Sequence, residues 1–220
     1  MGFSNYYQKE IERYGGNKKY VLAKAKEKQP LLSRIKKYAN NKKIIEAGAG
    51  SSSNSIYLAN EGYDVTCLEL DNNMIDLAKD ISKSFPKQPR YLNKDIMDFK
   101  EKNFSVCFSH GVLEHFDNKK TIGLINKQLE FSDYLIFSIP SDFFKQRQAI
   151  NGDERFLSAK QWKEIISLSN GRIIESFSYF YDPDSFKLWI LKLLSKLTFG
   201  GLPIKKPYLG FVVKKNVYNT

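Results

Sequence analysis

The 220-residue chain is poor in reactive side chains. It holds two cysteines, Cys67 and Cys107, and two histidines, His110 and His115. Each cysteine lies inside an apolar run, as buried thiols do, so a reducing cytoplasm is the expected compartment. No apolar run approaches the roughly 18 residues a membrane-spanning helix needs. The opening stretch, MGFSNYYQKEIERYGG, is too charged for a secretion signal. Internal repeats and low-complexity linkers are missing too, which leads to the expectation of one domain over residues 1–220. No metal is expected.

What is present is a globular composition, 42% apolar and 14% aromatic, which separates the chain from disordered sequences. The formal charge is +11. Positive residues that neutralise phosphates would make a nucleic-acid binder. Here they are scattered, and only short pairs such as Lys42-Lys43 and Lys119-Lys120 recur. The charge reads as a solvated surface, with anionic substrates as the alternative.

The first forty residues read as a helical cap, with helices through YYQKEIERY and LLSRIKKYA and a break at Gly15 and Gly16. Strands are expected at 43–47, 64–69, 90–93, 104–109 and 133–139, and helices at about 53–61, 72–84, 119–130 and 158–168. Such alternation implies a doubly wound, mostly parallel α/β sheet with helices on both faces. GRIIESFSYFY and YLGFVVKK add two more strands and place an antiparallel one in the sheet, for seven in all. On this reading 41–140 is a cofactor-binding half and 141–220 a substrate-side half.

The turn KKIIEAGAGSSSNS has Gly48 and Gly50 but serine where a third glycine is usual, at Ser52. Glycines there admit positive φ and close approach of a ligand. Serines are good helix caps, and the free amides of a helix start favour an electronegative group. Two carboxylates sharpen the pattern. Glu46 precedes the glycines, where dinucleotide-binding proteins usually keep an apolar residue, and Glu69 ends the next strand, where it can accept hydrogen bonds from a ribose diol. Asp71 suits the cap of the following helix.

With these residues in order, EAGAGSSSNSIYLANEGYDVTCLELDNNMIDLAK resembles the cofactor-binding half of class I S-adenosylmethionine-dependent methyltransferases of the small-molecule type. The resemblance implies a Rossmann-like methyltransferase fold with the last strand antiparallel, and S-adenosylmethionine as cofactor with S-adenosylhomocysteine as product. It implies that Glu46, Gly48, Gly50 and Ser52 shape the methionine end and that Glu69 holds the ribose, with Ala49 and Leu70 also among the cofactor-binding residues. Asp95 with Ile96 and Met97 would surround the adenine. FSVCFSHGVLEHF then resembles the fourth strand and its loop, with Ser109 and His110 facing the cofactor. The third glycine is missing, and Ser105 stands where an aspartate is common.

For the acceptor, His110, Glu114 and His115 are the candidate catalytic groups, able to take a proton from an amine or hydroxyl. The competing reading has His115 packing the helix start. An activated methyl donor also permits catalysis by in-line positioning alone. The Asn/Asp-Pro-Pro-aromatic motif of adenine and cytosine amino methylases is absent after the fourth strand. That disfavours methylation of ribosomal adenine, while the basic charge keeps an RNA methyltransferase, testable by salt-dependent binding, as one alternative, and a non-catalytic binding protein of the same fold is the other. Tyr7, Tyr14, Phe143, Arg147 and Arg155 are the expected acceptor-side residues, suited to an anionic small molecule. The apolar helix at 184–199 packs on the sheet, meets a dimer partner, or forms a lid over a lipid-linked acceptor.

Overall fold

The runs KIIEA, DVTCLE, FSVCFSH and SDYLIFSIP carry apolar residues at successive positions, the pattern of strands covered on both faces. In the computed structural model, which describes residues 3–144, 153–179 and 207–216, they become β1 (Lys43–Ala47), β2 (Asp64–Glu69), β4 (Phe104–His110) and β5 (Ser132–Pro140). With β3 (Arg90–Asn93), β6 (Gly171–Tyr179) and β7 (Tyr208–Lys215) they form one seven-stranded sheet, ordered β3-β2-β1-β4-β5-β7-β6. Pairing is parallel from β3 to β5, and β7 runs antiparallel to both β5 and β6. The sheet is the mostly parallel, doubly wound one expected, and its reversed strand sits between the last two parallel ones.

The helices are α1 (Phe3–Tyr14), α2 (Asn17–Glu27), α3 (Gln29–Tyr38), α4 (Ser53–Asn60), α5 (Asn72–Ser82), α6 (Asn118–Phe131) and α7 (Ala159–Ser167). Neighbouring residues on a strand point to opposite faces. Ile44, Val106, Phe108, Ile136 and Val212 therefore pack with α3 and α4, and Ile45, Cys107, Leu135, Phe137 and Val213 with α6 and α7. Parallel strands also bring the carboxyl ends of β1, β2, β4 and β5 to one edge, and β7 starts there. Ligands of open α/β sheets bind at that edge.

Two features differ from the sequence reading. Three helices, not two, precede β1. The extra one, α2, buries Lys24 beside Tyr20, Val21 and Ala25, so its inward stripe is broken by a charge. The serine run does not cap α4: Ser52 at the cap makes no side-chain bond to the helix amides and takes φ 53, ψ 21, the left-handed region. Asp71, Asp117 and Ser158 do cap α5, α6 and α7, each accepting from a first-turn amide. The helix read at 184–199 and Arg147 lie outside the described residues. Among those described, no helix is long and apolar enough to cross a membrane.

The left-handed Ser52 has a measurable consequence. A non-glycine residue pays about 1 kcal/mol there, and Ser52 occupies the place of the missing third glycine. Ser52→Gly is expected to raise stability by about 1 kcal/mol, read as a higher urea midpoint. A lower midpoint would mean that the contact of the Ser52 side chain with Cys67 outweighs the strain.

Candidate cofactor and acceptor site

At the tip of β1 the chain turns back on itself through two positive-φ glycines, Gly48 at 66° and Gly50 at 51°. The Gly48 and Ala49 amides donate to Leu68 O at 3.0 and 3.1 Å, tying the turn to β2. The Gly50 amide donates to Glu69 Oε2 at 2.8 Å. Glu69 Oε1 accepts from the amides of Leu70 and Asp71 at 2.8 and 3.1 Å. Three amides thus fix this carboxylate at the mouth of β2, and of about four acceptor directions one remains, on Oε2. A Cβ on Gly48 would stand 2.7 Å from Val112 Cγ2, so the turn and the loop after β4 close on each other where only glycine fits.

Glu46 is 2% exposed. It accepts from Asn54 Nδ2 at 3.0 Å and from the Ser55 hydroxyl, both on α4. Burial raises its pKa, while these bonds and the Lys28 charge oppose the rise. Glu46 thereby anchors the start of α4 against β1.

The adenosine-side candidates lie along the adjoining tips. Leu70 and Met97 are exposed apolar side chains, at 63% and 48%, and Ile96 is half-buried against the core. Asp95 caps the short 3-10 turn Ile96–Asp98, its Oδ1 accepting from the Met97 amide at 2.8 Å. The Asn93 amide group bonds Leu70 O at 2.8 Å, which joins this turn to the end of β2.

The N-terminal helices cover the glycine turn. Tyr20 Oη shares a 2.9 Å hydrogen bond with Ser51 Oγ, and Tyr7 Oη approaches Gly50. Burial pushes the Tyr7 phenol up to about 12, so it stays protonated at neutral pH. Tyr14 donates to Glu27 Oε1 at 2.7 Å, and Lys24, 4% exposed, pairs with Glu10 and Glu27 at 3.0 and 3.2 Å.

At the tip of β4, Ser109 is buried and His110 half-buried. His110 Nδ1 shares a 2.7 Å hydrogen bond with Ser138 Oγ on β5, which shares one of 2.9 Å with Tyr179 Oη on β6. The rings of Tyr179 and Tyr208 stack at 5.4 Å, and His110 lies 5.5 Å from Tyr208. Burial, reinforced by the Lys28 and Lys24 charges, holds the imidazole well below its usual range, hence neutral at pH 7. Glu114, in the 3-10 turn Leu113–His115, is 2% exposed, and its Oε2 has no hydrogen-bond partner. Burial pushes its carboxyl up to about 7.

The other candidates are placed differently. His115 Nδ1 contacts Asp153 Oδ1 at 2.8 Å, and with Glu154 they bring donor atoms within 4.8 Å of one another near the surface. Exposed carboxylates gather in this way without an ion. Arg155 donates to Asn118 Oδ1 and Thr121 Oγ1 at 2.7 and 3.1 Å and lies over the Trp162 ring, between α6 and α7, while its buried Nε has no partner. Phe143 is exposed at 46%. Sequence reasoning missed Lys24, Tyr20, Ser138, Tyr179 and Tyr208. Their signal is tertiary, because they reach the edge from elements far apart in the chain.

A family model described as Methyltransferase domain matches residues 45–130. No curated protein matches the sequence. Among solved structures, magnesium protoporphyrin IX methyltransferase from Synechocystis PCC 6803 with bound S-adenosylhomocysteine is 14% identical with a TM-score of 0.63, covering 96% of this chain and 87% of that one. The CcbJ methyltransferase from Streptomyces caelestis is 12% identical at a TM-score of 0.66, over 87% and 90% of the two chains. A bacterial CtHen1 methyltransferase domain is 15% identical at 0.64, over 89% and 99%. Strand order, reversed β7 and glycine turn agree with these likenesses: the chain has the fold of the class I S-adenosylmethionine-dependent methyltransferases.

Proposed function

We propose that this protein transfers a methyl group from S-adenosylmethionine to a small-molecule acceptor. The observation that carries the reading is the contact of the Gly50 amide with Glu69, which sets an acidic ribose receptor against a glycine turn on the carboxyl edge of β1 and β2. The residues fit the cofactor: Gly48 admits no Cβ beside Val112, and Leu70 and Met97 leave exposed apolar surface for a purine. Glu69 would hold the ribose, Ile96 and Met97 the adenine with Asp95 fixing their turn, and Gly48 to Ser52 the methionine end.

Bound there, the cofactor supplies a methyl group already activated as a sulfonium. The protein's part is to hold the acceptor atom in line with it and to exclude water, which accounts for large rate gains without a covalent intermediate. Neutral His110, oriented by Ser138 and Tyr179, and Glu114, whose carboxyl titrates near 7, are the groups able to take the acceptor's proton. The aromatic rings of Tyr179 and Tyr208 offer a flat apolar wall for a small organic acceptor.

Calorimetric titration of S-adenosylhomocysteine into the wild type and Glu69→Ala tests the reading. Micromolar binding is expected, weakened on the order of 10- to 100-fold in the variant, which loses charged hydrogen bonds to ribose and to Gly50. Wild type that binds no S-adenosylhomocysteine would rule the proposal out.

A further inference from the structure

Glu114 is the buried acid of the loop after β4, and the fold gives it no counter-charge. The loop begins at Gly111, whose φ is 70° and whose amide donates to Ser138 O at 3.0 Å, so the chain turns over the tip of β4. Val112 then stands against Gly48 of the glycine turn, and Leu113 enters the core. A Cβ added to Gly111 would lie 3.5 Å from Glu114 Oε1. The carboxyl is therefore folded back over the residue that follows His110, within the loop that touches the cofactor turn.

Glu114 is 2% exposed, and its Oε2 has no hydrogen-bond partner. Arg155 meets it through the main chain, its amide donating to Glu114 O at 3.0 Å, but sends its guanidinium to Asn118 and Thr121 on α6. Arg155 Nε is unpartnered as well, so the two side chains do not bond each other there. A buried carboxylate in this state is costly, and a cation or a proton removes the cost. The neighbouring surface also favours a cation. Beside Gly111, the His110 ring lies 5.5 Å from the half-buried Tyr208 ring, which stacks on Tyr179 at 5.4 Å. The faces of aromatic rings are electronegative and attract positive charge.

We infer that Glu114 receives the charged head of the acceptor, which is a small amine that enters as its ammonium and lays a flat apolar body against Tyr179 and Tyr208. This rests on the methyl-transfer reading above. The ammonium passes one proton to the Glu114 carboxylate, and the nitrogen lone pair is freed for the methyl carbon. The new N–C bond replaces the S–C bond, whose electron pair stays on sulfur, and Glu114 returns its proton to solvent. One proton is released per methyl group transferred. A hydroxyl acceptor brings no charge to offset the buried carboxylate, so the site discriminates against it.

Two probes that differ only in the head group decide the matter, phenethylamine and phenethyl alcohol. Each is titrated by calorimetry into the wild type and Glu114→Gln, both saturated with S-adenosylhomocysteine. The pH is 8, where a carboxyl that titrates at about 7 is ionised and the amine is still protonated. The wild type is expected to bind the amine on the order of 10- to 100-fold more tightly than the alcohol. In Glu114→Gln, which keeps the shape and loses the charge, that ratio falls to near one because only the amine weakens. Equal affinities in the wild type, a preference that survives in Glu114→Gln, or binding of neither probe overturns the inference and leaves the cofactor reading standing. Loss of S-adenosylhomocysteine binding in Glu114→Gln alone assigns the carboxyl to the cofactor and overturns it too. Wild type that binds no S-adenosylhomocysteine overturns both readings.

Discussion

Glu114→Gln is expected to make the protein more stable at pH 8 and far less active. The Glu114 carboxyl is buried, one of its oxygens has no partner, and its pKa stands at about 7 against a usual 4.5. The folded chain holds this proton between those two values and the unfolded chain does not. The penalty is thus absent below pH 4.5, grows as pH rises, and is complete above pH 7, where it amounts to about 3 kcal/mol. Glutamine cannot ionise, so the variant should exceed the wild type by about 2–3 kcal/mol at pH 8 and match it near pH 4.5. Asp153, Glu154, His115, Arg155, Tyr179 and Tyr208 share this electrostatic environment. His110 titrates with the opposite sign, so the quantity to follow is the difference between variant and wild type in urea melts across that range. A difference that does not change with pH would remove Glu114 as an ionisable buried group. If Glu114 takes the acceptor's proton, methyl transfer falls about 10²- to 10⁴-fold, and the wild-type rate rises through pH 7. Unchanged turnover would leave positioning alone as the source of catalysis.

A second large effect is expected at Gly48. Alanine there must hold φ near 66° and place its Cβ 2.7 Å from Val112 Cγ2. The backbone conformation costs about 1–2 kcal/mol, and the overlap with a branched side chain adds about 1–3 kcal/mol. Gly48→Ala should therefore lose about 2–4 kcal/mol in the wild-type background. In a Val112→Ala background only the conformational part remains, about 1–2 kcal/mol. Affinity for S-adenosylhomocysteine should fall with Gly48→Ala and recover in part in the double variant, because the turn and the loop after β4 regain their spacing. Equal losses in both backgrounds would show that this close approach does not exist in solution.

These effects depend on features the sequence discloses unevenly. Strands β1, β2, β4 and β5 were legible because buried parallel strands need unbroken apolar runs, and Glu46, Glu69 and the two glycines were legible because their spacing is local. The left-handed Ser52 was not, since nothing in SSSN distinguishes a capping serine from a strained one. Helix α2 was hidden because Lys24 sits in its buried stripe and is neutralised by Glu10 from another helix. The link His110–Ser138–Tyr179 joins β4, β5 and β6, and only the sheet order brings those residues together. The place of Arg155 over Trp162 was not legible either, because an exposed basic side chain and one held over a ring look alike in sequence.

The sheet order also bears on how the chain folds as it is made. Strands β2 to β5 each find a parallel neighbour among segments already synthesised, so the cofactor half can close early. Strand β6 cannot, because β7 lies between it and β5. Until residues 208–215 leave the ribosome, β6 has no edge to join, and the ordering of N-terminal before C-terminal segments during synthesis is enforced by topology. Tyr179 and Tyr208, paired directly across β6 and β7, enter together as the last step. A nascent chain stalled before β7 would thus carry a glycine turn beside Glu69 and a His110 still without its tyrosines.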